Sequence, residues 1–218
     1  MRLRNELVFS LILWLGVAAL SLWAYFVLPD QPMATHFAAD GTVNGYMPRD
    51  VGLAFGPGMV LIMIVLLLWL LPAIMPKAKS IDRSIAVYGL VTLAVIVLIA
   101  FVHGLLVARA FGIAVDPARI VFAAIGALFI LIGNFTPKMR QNWLMGIRTP
   151  WTLSDERVWD KTHRFAGPLF MLGGIAILVG AFAAPLAWRV AVVAIGAGVP
   201  AILAVIYSYL AARKLGSA

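Results

Sequence analysis

The sequence contains no cysteine and few charged residues. Among its 218 residues Cys is absent, and Asp, Glu, Lys and Arg together make up 12%. The absence of Cys excludes disulfides, thiolate catalysis and zinc or iron–sulfur sites built on Cys. The low charge content excludes an ordinary soluble domain, in which about 25% of residues are charged. The composition therefore does not fit a soluble enzyme.

Apolar residues replace the missing charge. They make up 63% of the chain, and the mean hydropathy is +1.01. A membrane-spanning helix needs about 20 mostly apolar residues. Six apolar runs are present: 7–28, 52–75, 85–108, 120–135, 165–184 and 190–210. We therefore expect an all-α, multi-pass membrane protein with six transmembrane helices and no separate soluble domain.

Two of these runs have unusual lengths. The first run is longer than the apolar part of a signal peptide, so we expect an uncleaved first span. The fourth run has only 16 residues, which is short for a hydrocarbon core of about 30 Å. It predicts local thinning of the bilayer or snorkelling of Arg119 and Lys138.

The basic residues predict the orientation. Of the 17 Lys and Arg residues, 13 lie in the two terminal segments and the loops after the second and fourth runs, and 4 lie in the other loops. Cytoplasmic loops are enriched in Lys and Arg, so this distribution places both termini inside. The net charge of +8 is explained by cytoplasmic loops, and we expect no direct contact with nucleic acid.

The loop Pro29 to Val51, here called the outer loop, contains the turn dipeptides Asp40-Gly41 and Asn44-Gly45. These dipeptides favour tight turns, so we expect a compact cap, such as a short hairpin, over the outer mouth of the bundle. His36 and Asp40 could share a metal ion, but two ligands without a third are a weak signal. We favour a His36 ring bonded to a nearby carbonyl or carboxylate.

The loop Thr136 to Arg164, here called the inner loop, is dense in Trp, Pro, Gly and Arg. Thr152 and Asp155 fit an approximate capping box for a helix that begins near Ser154 and continues into the fifth span. On that helix Glu156, Asp160 and His163 share one face, for which we favour solvated ion pairing over a metal or proton-relay site.

Two interpretations of the inner loop remain open. In the first, Trp143, Trp151 and Trp159 form an interfacial belt and the cations meet anionic lipid. In the second, Arg148 organises a specific site, because Gly146 permits close backbone approach and the guanidinium can bond carbonyls, an acidic side chain or an anion. The combination of Asn, Gly, Arg and Thr in one short stretch supports the second interpretation, because a lipid belt does not require it.

Ionisable residues within the apolar runs are few. His103 in the third run faces either the bundle interior or a wet interface near the outer end. The apolar runs contain no Asp or Glu, which argues against a proton-coupled transporter.

Two stretches of the sequence resemble known families. The inner segments Gly133–Lys138, Asn142–Ser154, Val158-Trp159 and Lys161–Arg164 closely resemble the SdpI family. The outer segment Pro32 to Tyr46, with the pattern Pro-x-x-x-His-Phe, Gly and Asn-Gly-Tyr, is similar to the domain of unknown function DUF1648. The resemblance implies a DUF1648-like unit at 1–75 and an SdpI-like unit at 76–218.

The resemblance also implies a function. The namesake of the family is an integral-membrane immunity protein that protects a bacterium from its own secreted killing peptide and can signal to a membrane-held transcriptional repressor. We therefore expect a non-enzymatic immunity or sensor protein of the bacterial inner membrane, with the bilayer, a toxic peptide outside and a cytoplasmic repressor as partners. The alternative is a small-molecule or lipid-handling membrane protein, with Arg148 as an anion site and His36 with Asp40 as an acid/base or metal pair.

The expected binding residues lie in the two loops, and we expect no catalytic residue, metal or cofactor. In the inner loop they are Asn142, Trp143, Gly146, Arg148, Thr149, Pro150, Trp151 and His163. In the outer loop they are His36, Phe37, Asp40, Gly41, Asn44 and Gly45.

Overall fold

A computed structural model of the chain describes residues 3–38, 41–74 and 81–216. The seven α-helices of this part are α1 Arg4–Val27, α2 Arg49–Ile74, α3 Ile81–Ala110, α4 Pro117–Phe135, α5 Pro150–Ser154, α6 Glu156–Ala183 and α7 Arg189–Leu215. Two strands, β1 Met33–Phe37 and β2 Val43–Met47, form an antiparallel hairpin between α1 and α2. Short 3₁₀ turns follow α4, at Thr136–Lys138, and precede α7, at Leu186–Trp188.

Six of the helices are long and apolar enough to span a membrane. They coincide with the six apolar runs, so the predicted all-α, six-helix membrane fold is confirmed. The fourth span is longer than its run suggested, because helical backbone extends over Pro117–Lys138, 22 residues. At about 1.5 Å per residue this length crosses a typical core, and no thinning of the bilayer is required.

The hairpin and the inner loop lie at opposite ends of the bundle, and the faces keep the names outer and inner from the predicted orientation. The outer face holds the hairpin and the ends of α3 and α6. The inner face holds the inner loop and the start of α3.

Helices α1, α2 and α3 pack through large side chains. Their core contains Val17, Val60, Ile64, Leu68 and Ile96, all almost fully buried. Helix α2 adopts π-helical geometry over Ile64–Leu70, and the hydroxyl of Tyr88 on α3 donates to the carbonyl of Leu67 within this stretch. A π-helical segment disturbs the regular backbone pairing, which leaves a carbonyl accessible to a neighbouring helix.

Helices α4, α6 and α7 pack through glycine. A Cβ on Gly133 of α4 would lie 2.7 Å from the carbonyl oxygen of Gly167 on α6, and one on Gly173 would lie 2.0 Å from that of Gly196 on α7. The backbones therefore touch directly, as is common where small residues line helix interfaces in membranes. The predicted boundary between the two sequence units, at 75 and 76, lies outside the described residues.

The hairpin corrects one turn assignment. The Asn44-Gly45 dipeptide lies within β2, and the strands are connected by residues 38–42. Gly41 in the connection has a φ of 79°, a conformation that favours glycine. Gly45 is instead required by packing, because a Cβ there would lie 2.8 Å from the Cβ of His36.

The helix caps in the inner loop differ from the predicted pair. The capping box joins Thr149 and Thr152 at the start of α5, while the Asp155 side chain caps α6 by accepting from the Arg157 backbone N–H. The chain therefore makes two helices, and each N-terminus has its own polar cap. The helix that continues into the fifth span begins at Glu156, close to the predicted Ser154.

Candidate functional sites on the two faces

Asn142 closes the first turn of the inner loop. Its side-chain oxygen accepts from the backbone N–H groups of Leu144 and Met145 at 2.8 and 2.9 Å, and its amide nitrogen donates to the carbonyl of Arg140 at 2.7 Å. The residue is 2% exposed. A buried amide with three such bonds fixes the backbone, because any replacement without them leaves buried groups unpaired.

The loop also folds back onto α5. Gln141 donates from its side-chain nitrogen to the carbonyls of Thr152 and Leu153 at 2.7 and 3.0 Å. The Thr152 hydroxyl contacts the carbonyl of Ile147 at 2.7 Å and accepts from the backbone N–H of Thr149 at 2.9 Å. These hydrogen bonds hold the backbone of the inner loop against α5.

His163 and Trp159 form the floor of the loop. Both are fully buried, and their rings stack with centroids 4.0 Å apart. His163 Nε2 accepts from the backbone N–H of Ile147 at 3.0 Å, and Nδ1 lies 2.9 Å from the carbonyl of Trp159. A backbone N–H only donates and a carbonyl only accepts, so the ring is neutral with its proton on Nδ1.

These contacts overturn two expectations about α6. His163 does not take part in solvated ion pairing, because it is enclosed beneath the loop. Trp159 does not belong to an interfacial belt, because it is buried and its indole N–H donates to the carbonyl of Met139 at 2.8 Å. Asp160 does form an exposed ion pair, but with Arg140 at 3.5 Å.

Gly146 lies directly over this floor. Its φ is 106°, and a Cβ would lie 2.5 Å from His163 Nε2 and 3.0 Å from the Trp159 ring. Both the backbone conformation and the close approach require glycine here. The expectation of a close backbone approach at this glycine is met, although the partner is a histidine of α6 and not Arg148.

Arg148 does not organise the interior of the loop. Its side chain is exposed, and Nη1 donates to the backbone carbonyl of Trp143 at 2.8 Å. Trp143 is itself 53% exposed, and Trp151 packs against Tyr209 with ring centroids 5.1 Å apart. The buried residues Asn142, Thr152 and His163 hold the loop together, while Trp143 and Arg148 form part of its surface.

That surface is strongly basic. Its exposed cations are Lys138, Arg140, Arg148, Arg157, Lys161 and Arg164. The partly exposed Asp155 and Asp160 pair with Arg157 at 2.8 Å and Arg140 at 3.5 Å. Such a surface suits an anionic partner, either a lipid headgroup layer or an acidic protein surface.

On the outer face, the strands of the hairpin are joined through His36 and Asn44. His36 Nδ1 lies 2.8 Å from the Asn44 side-chain oxygen, so the favoured contact with a nearby carbonyl is present. Asp40, the other candidate in this contact, lies outside the described residues. No group of three His, Asp or Glu side chains that could hold a metal ion occurs in the part of the chain that the structure describes.

The hairpin is seated on helix ends by aromatic and charged contacts. The Arg109 guanidinium at the end of α3 lies 5.6 Å from the ring centroid of Phe37. Gly41 approaches Asp116 so closely that a Cβ would lie 3.3 Å from its carboxylate oxygen. Asp116 caps α4 and bonds Arg189 of α7 at 3.0 Å. The connection between the strands thus contacts the start of α4 and, through Asp116, is linked to α7.

Sequence reasoning missed the structural contacts of the arginines on the outer face. Arg49 donates to the carbonyl of Leu28 at 3.0 Å and lies 4.7 Å from the ring centroid of Tyr25, which joins α1 to α2. Arg189 is 5% exposed, although it lies in a short loop just before the sixth apolar run. The only signal was position, since each of these arginines stands at the end of a predicted span.

His103 faces the bundle interior, which decides between the two predicted environments. Its Nε2 lies 2.7 Å from the Ser21 hydroxyl of α1, and the residue is 3% exposed. A Cβ on Gly56 of α2 would lie 2.1 Å from the ring. His103 therefore links all three helices beneath the hairpin.

Comparisons with known proteins find similarity in two separate stretches of the chain. The model of the SdpI/YfhL protein family matches residues 138–208, and the model of the domain of unknown function DUF1648 matches residues 12–61. Immunity protein SdpI of Bacillus subtilis (strain 168) is 31% identical over 122 residues, which are 56% of this chain and 59% of the relative. The alignment thus spans less than two thirds of that protein. No solved structure matches the chain.

The SdpI/YfhL match contains most of the inner loop and all of α6, and the DUF1648 match contains most of α1 and the complete hairpin. The chain is therefore a multi-pass membrane protein in which a stretch similar to DUF1648 precedes a stretch similar to the SdpI/YfhL family.

Proposed function

We propose that this chain is a non-enzymatic immunity protein of the bacterial inner membrane, which protects its host from a secreted toxic peptide. The observation that carries the proposal is the 31% identity to Immunity protein SdpI, together with the family match over the inner loop. The outer face contacts the peptide, and the inner loop signals to a cytoplasmic repressor.

The outer hairpin supplies the peptide contact. Its strand β2 exposes Tyr46, which is 65% accessible, beside Asn44. The expected binding residues His36, Phe37, Gly41, Asn44 and Gly45 define the surface and the fold of this hairpin, and Asp40 lies outside the described residues. Gly45 and His36 shape it from within, because their close contact leaves no room for a side chain at position 45.

Helix α3 connects this surface to the inner loop. At its outer end Arg109 lies against Phe37 of the hairpin. At its inner end the Ser84 hydroxyl accepts from the backbone N–H of Arg140 at 2.9 Å and donates to the Arg140 carbonyl at 3.2 Å. A displacement of α3 by a bound peptide would thus act on the backbone of the inner loop.

The inner-loop residues divide into two roles. Asn142, Gly146, Thr149 and His163 hold the loop in shape from inside, and Pro150 begins α5. Trp143 and Arg148 are exposed and form the contact with the repressor, while Trp151 packs the loop onto α7. The exposed Trp143 beside Arg148 supports this assignment, because aromatic residues and arginine are both enriched at protein interfaces.

Growth of a toxin-sensitive bacterium tests the protective function. Cells that express the chain are exposed to medium from a strain secreting the killing peptide of the family, and survival should exceed that of cells with an empty vector. Deleting 35–46 should abolish survival at equal membrane abundance, whereas Leu172→Ala, at an exposed lipid-facing site, should retain it. Survival of the deletion at the wild-type level would remove the hairpin from the mechanism.

The proposed orientation can be tested directly because the chain has no Cys. Tyr46→Cys and Trp143→Cys place single thiols at exposed positions on the two faces. In intact cells an impermeant thiol reagent should label Tyr46→Cys and leave Trp143→Cys unlabelled until the membrane is opened. The reverse pattern would invert the topology and with it the roles of both faces.

A further inference from the structure

The outer face contains a cavity that neither the proposed protection nor the family matches assign. Its volume is about 440 Å³, within the usual range for ligand sites, and it lies between the hairpin and the ends of α1, α2 and α3. Two arginines line it, Arg49 and Arg109. Among the described residues that line it, none is acidic.

Arg49 is held in a fixed position at the wall of this cavity. Its Nε bonds Asp50 at 3.0 Å, its Nη1 bonds the Leu28 carbonyl at 3.0 Å, and its Nη2 lies 3.8 Å from Asp30. The side chain is 12% exposed, while those of Asp30 and Asp50 are 86% and 63% exposed. The carboxylates thus face water, and the guanidinium remains at the cavity.

Arg109 contributes the second cation and is less fully bonded. In the described part of the chain its guanidinium makes one hydrogen bond, from Nη1 to the Val115 carbonyl at 2.9 Å, and lies over the Phe37 ring. A guanidinium has five N–H donors, so most of those on Arg109 are available to a ligand. Planar forks of this kind match the oxygens of a phosphate.

The remaining walls indicate where the rest of the ligand lies. Leu28, Met33, Val43 and Ile113 provide apolar surface next to the two cations. The cavity lies at the outer ends of three spanning helices, which is the depth of lipid headgroups. Cations for a phosphate and apolar walls for the adjoining chain are therefore combined at headgroup depth.

We propose that this cavity binds the phosphate of an anionic membrane phospholipid through Arg49 and Arg109. The bound headgroup would fill the space beneath β1 and hold the hairpin against α3. The binding of a lipid can be measured directly, so the existence of this site can be tested without any assay of protection.

Lipid titration followed by native mass spectrometry tests the site. The full chain in a neutral maltoside detergent is titrated with phosphatidylglycerol and, separately, with a diglucosyl diacylglycerol of the same acyl chains. We expect phosphatidylglycerol to bind at least about tenfold more tightly, because only it carries a phosphate for the arginines. Equal binding of the two lipids would overturn the proposal.

Two variants and one control test whether the lipid binds in this cavity. Arg109→Gln removes a cation, and Ile113→Glu adds a carboxylate at a wall residue that is 55% exposed and needs no repacking. Each should weaken phosphatidylglycerol binding about tenfold or more, whereas Arg119→Gln, which removes an arginine outside the cavity, should not. If Ile113→Glu melts like wild type and binds the lipid unchanged, the site is refuted.

A soluble competitor distinguishes the lipid from a peptide terminus. Glycerol phosphate should displace bound phosphatidylglycerol, and hexanoate should do so less well. Displacement by hexanoate alone would assign the cavity to carboxylates and overturn the phospholipid proposal.

Discussion

The two helix groups of this protein are held together in different ways. In α1, α2 and α3, side chains such as Val60, Leu68 and Ile96 fill the space between helices. In α4, α6 and α7, glycines bring the backbones into direct contact. A side chain can change rotamer to accommodate a neighbour, but a backbone carbonyl in a helix cannot, so the second group is the stiffer of the two.

This difference matches the position of the two faces. The hairpin is seated mainly on the group packed by side chains, which also contains the buried His103 and the π-helical segment of α2. The inner loop is anchored by Trp159 and His163 on α6, in the glycine-packed group. We infer that adjustments to a ligand occur in the first group and that the second provides a fixed frame for the inner loop.

The largest effect is expected where two backbones touch. Gly173→Ala would place a Cβ 2.0 Å from the Gly196 carbonyl oxygen, so α6 and α7 must separate. Overpacking of this kind should lower the free energy of unfolding by about 3 kcal/mol. The measurement is the thermal unfolding midpoint in detergent, accompanied by the yield of folded protein.

Gly198→Ala on α7 is the matched control, since a Cβ there meets nothing within 4 Å. It should be neutral or stabilising by up to about 1 kcal/mol, because Ala favours helix more than Gly does. Equal behaviour of the two variants would mean that the glycines do not set the separation of these helices.

A smaller effect is expected for a glycine that faces a side chain. Gly56→Ala would bring a Cβ within 2.1 Å of the His103 ring, but the ring can move by losing its bond to Ser21. We expect a loss of about 2 kcal/mol in the free energy of unfolding. In a double-mutant cycle, His103→Ala should largely remove the cost of Gly56→Ala. Additive losses would show that this group is as rigid as the other.

The spans could be predicted because length and hydropathy depend on local sequence alone. Their ends could not, because helices such as α2 begin at polar residues like Arg49, whose partners Tyr25 and Leu28 lie at and just after the end of α1. The same applies to Asn44-Gly45, a typical turn dipeptide that lies within a strand because Gly45 must admit His36.

The internal contacts of the inner loop could be predicted only in part. The density of Trp, Gly and Arg marked the inner loop, and the placement of Gly146 over another group was correctly expected. The sequence could not show that this group is His163, because the two residues meet only when the loop folds back on α6. Periodicity on α6 grouped His163 with Asp160 and Glu156, although the loop covers one side of that helix.

A moderate effect on the free energy of unfolding is expected where the inner loop connects the two helix groups. Asn142→Ala would remove three hydrogen bonds and leave the buried N–H groups of Leu144 and Met145 unpaired. The loss should be about 1–2 kcal/mol, with faster hydrogen exchange at 140–147. Ser154→Ala, at an exposed hydroxyl, is the control and should change neither quantity. Unchanged exchange in Asn142→Ala would mean that other contacts fix the loop.

The smallest effect on stability is expected at Arg148, on the surface of the inner loop. Its side chain is exposed and makes one hydrogen bond to the Trp143 carbonyl, so Arg148→Ala and Arg148→Lys should each change the free energy of unfolding by less than about 0.5 kcal/mol. Both variants should nevertheless reduce signalling, because the proposed repressor contact uses the guanidinium. Reporter output from a repressor-controlled promoter, at matched membrane abundance, provides the measurement.

The lysine variant separates charge from geometry. If the guanidinium fork contacts an acidic side chain of the repressor, Arg148→Lys should lose most of the signal, as Arg148→Ala does, since lysine cannot form the two parallel bonds. Lys138→Ala, which removes a cation that lies over Phe135, should remain close to wild type. Wild-type output from Arg148→Lys would show that positive charge alone acts here, as in attraction to anionic lipid. The stable frame of α4, α6 and α7 would then hold a lipid-facing belt and not a protein-binding surface.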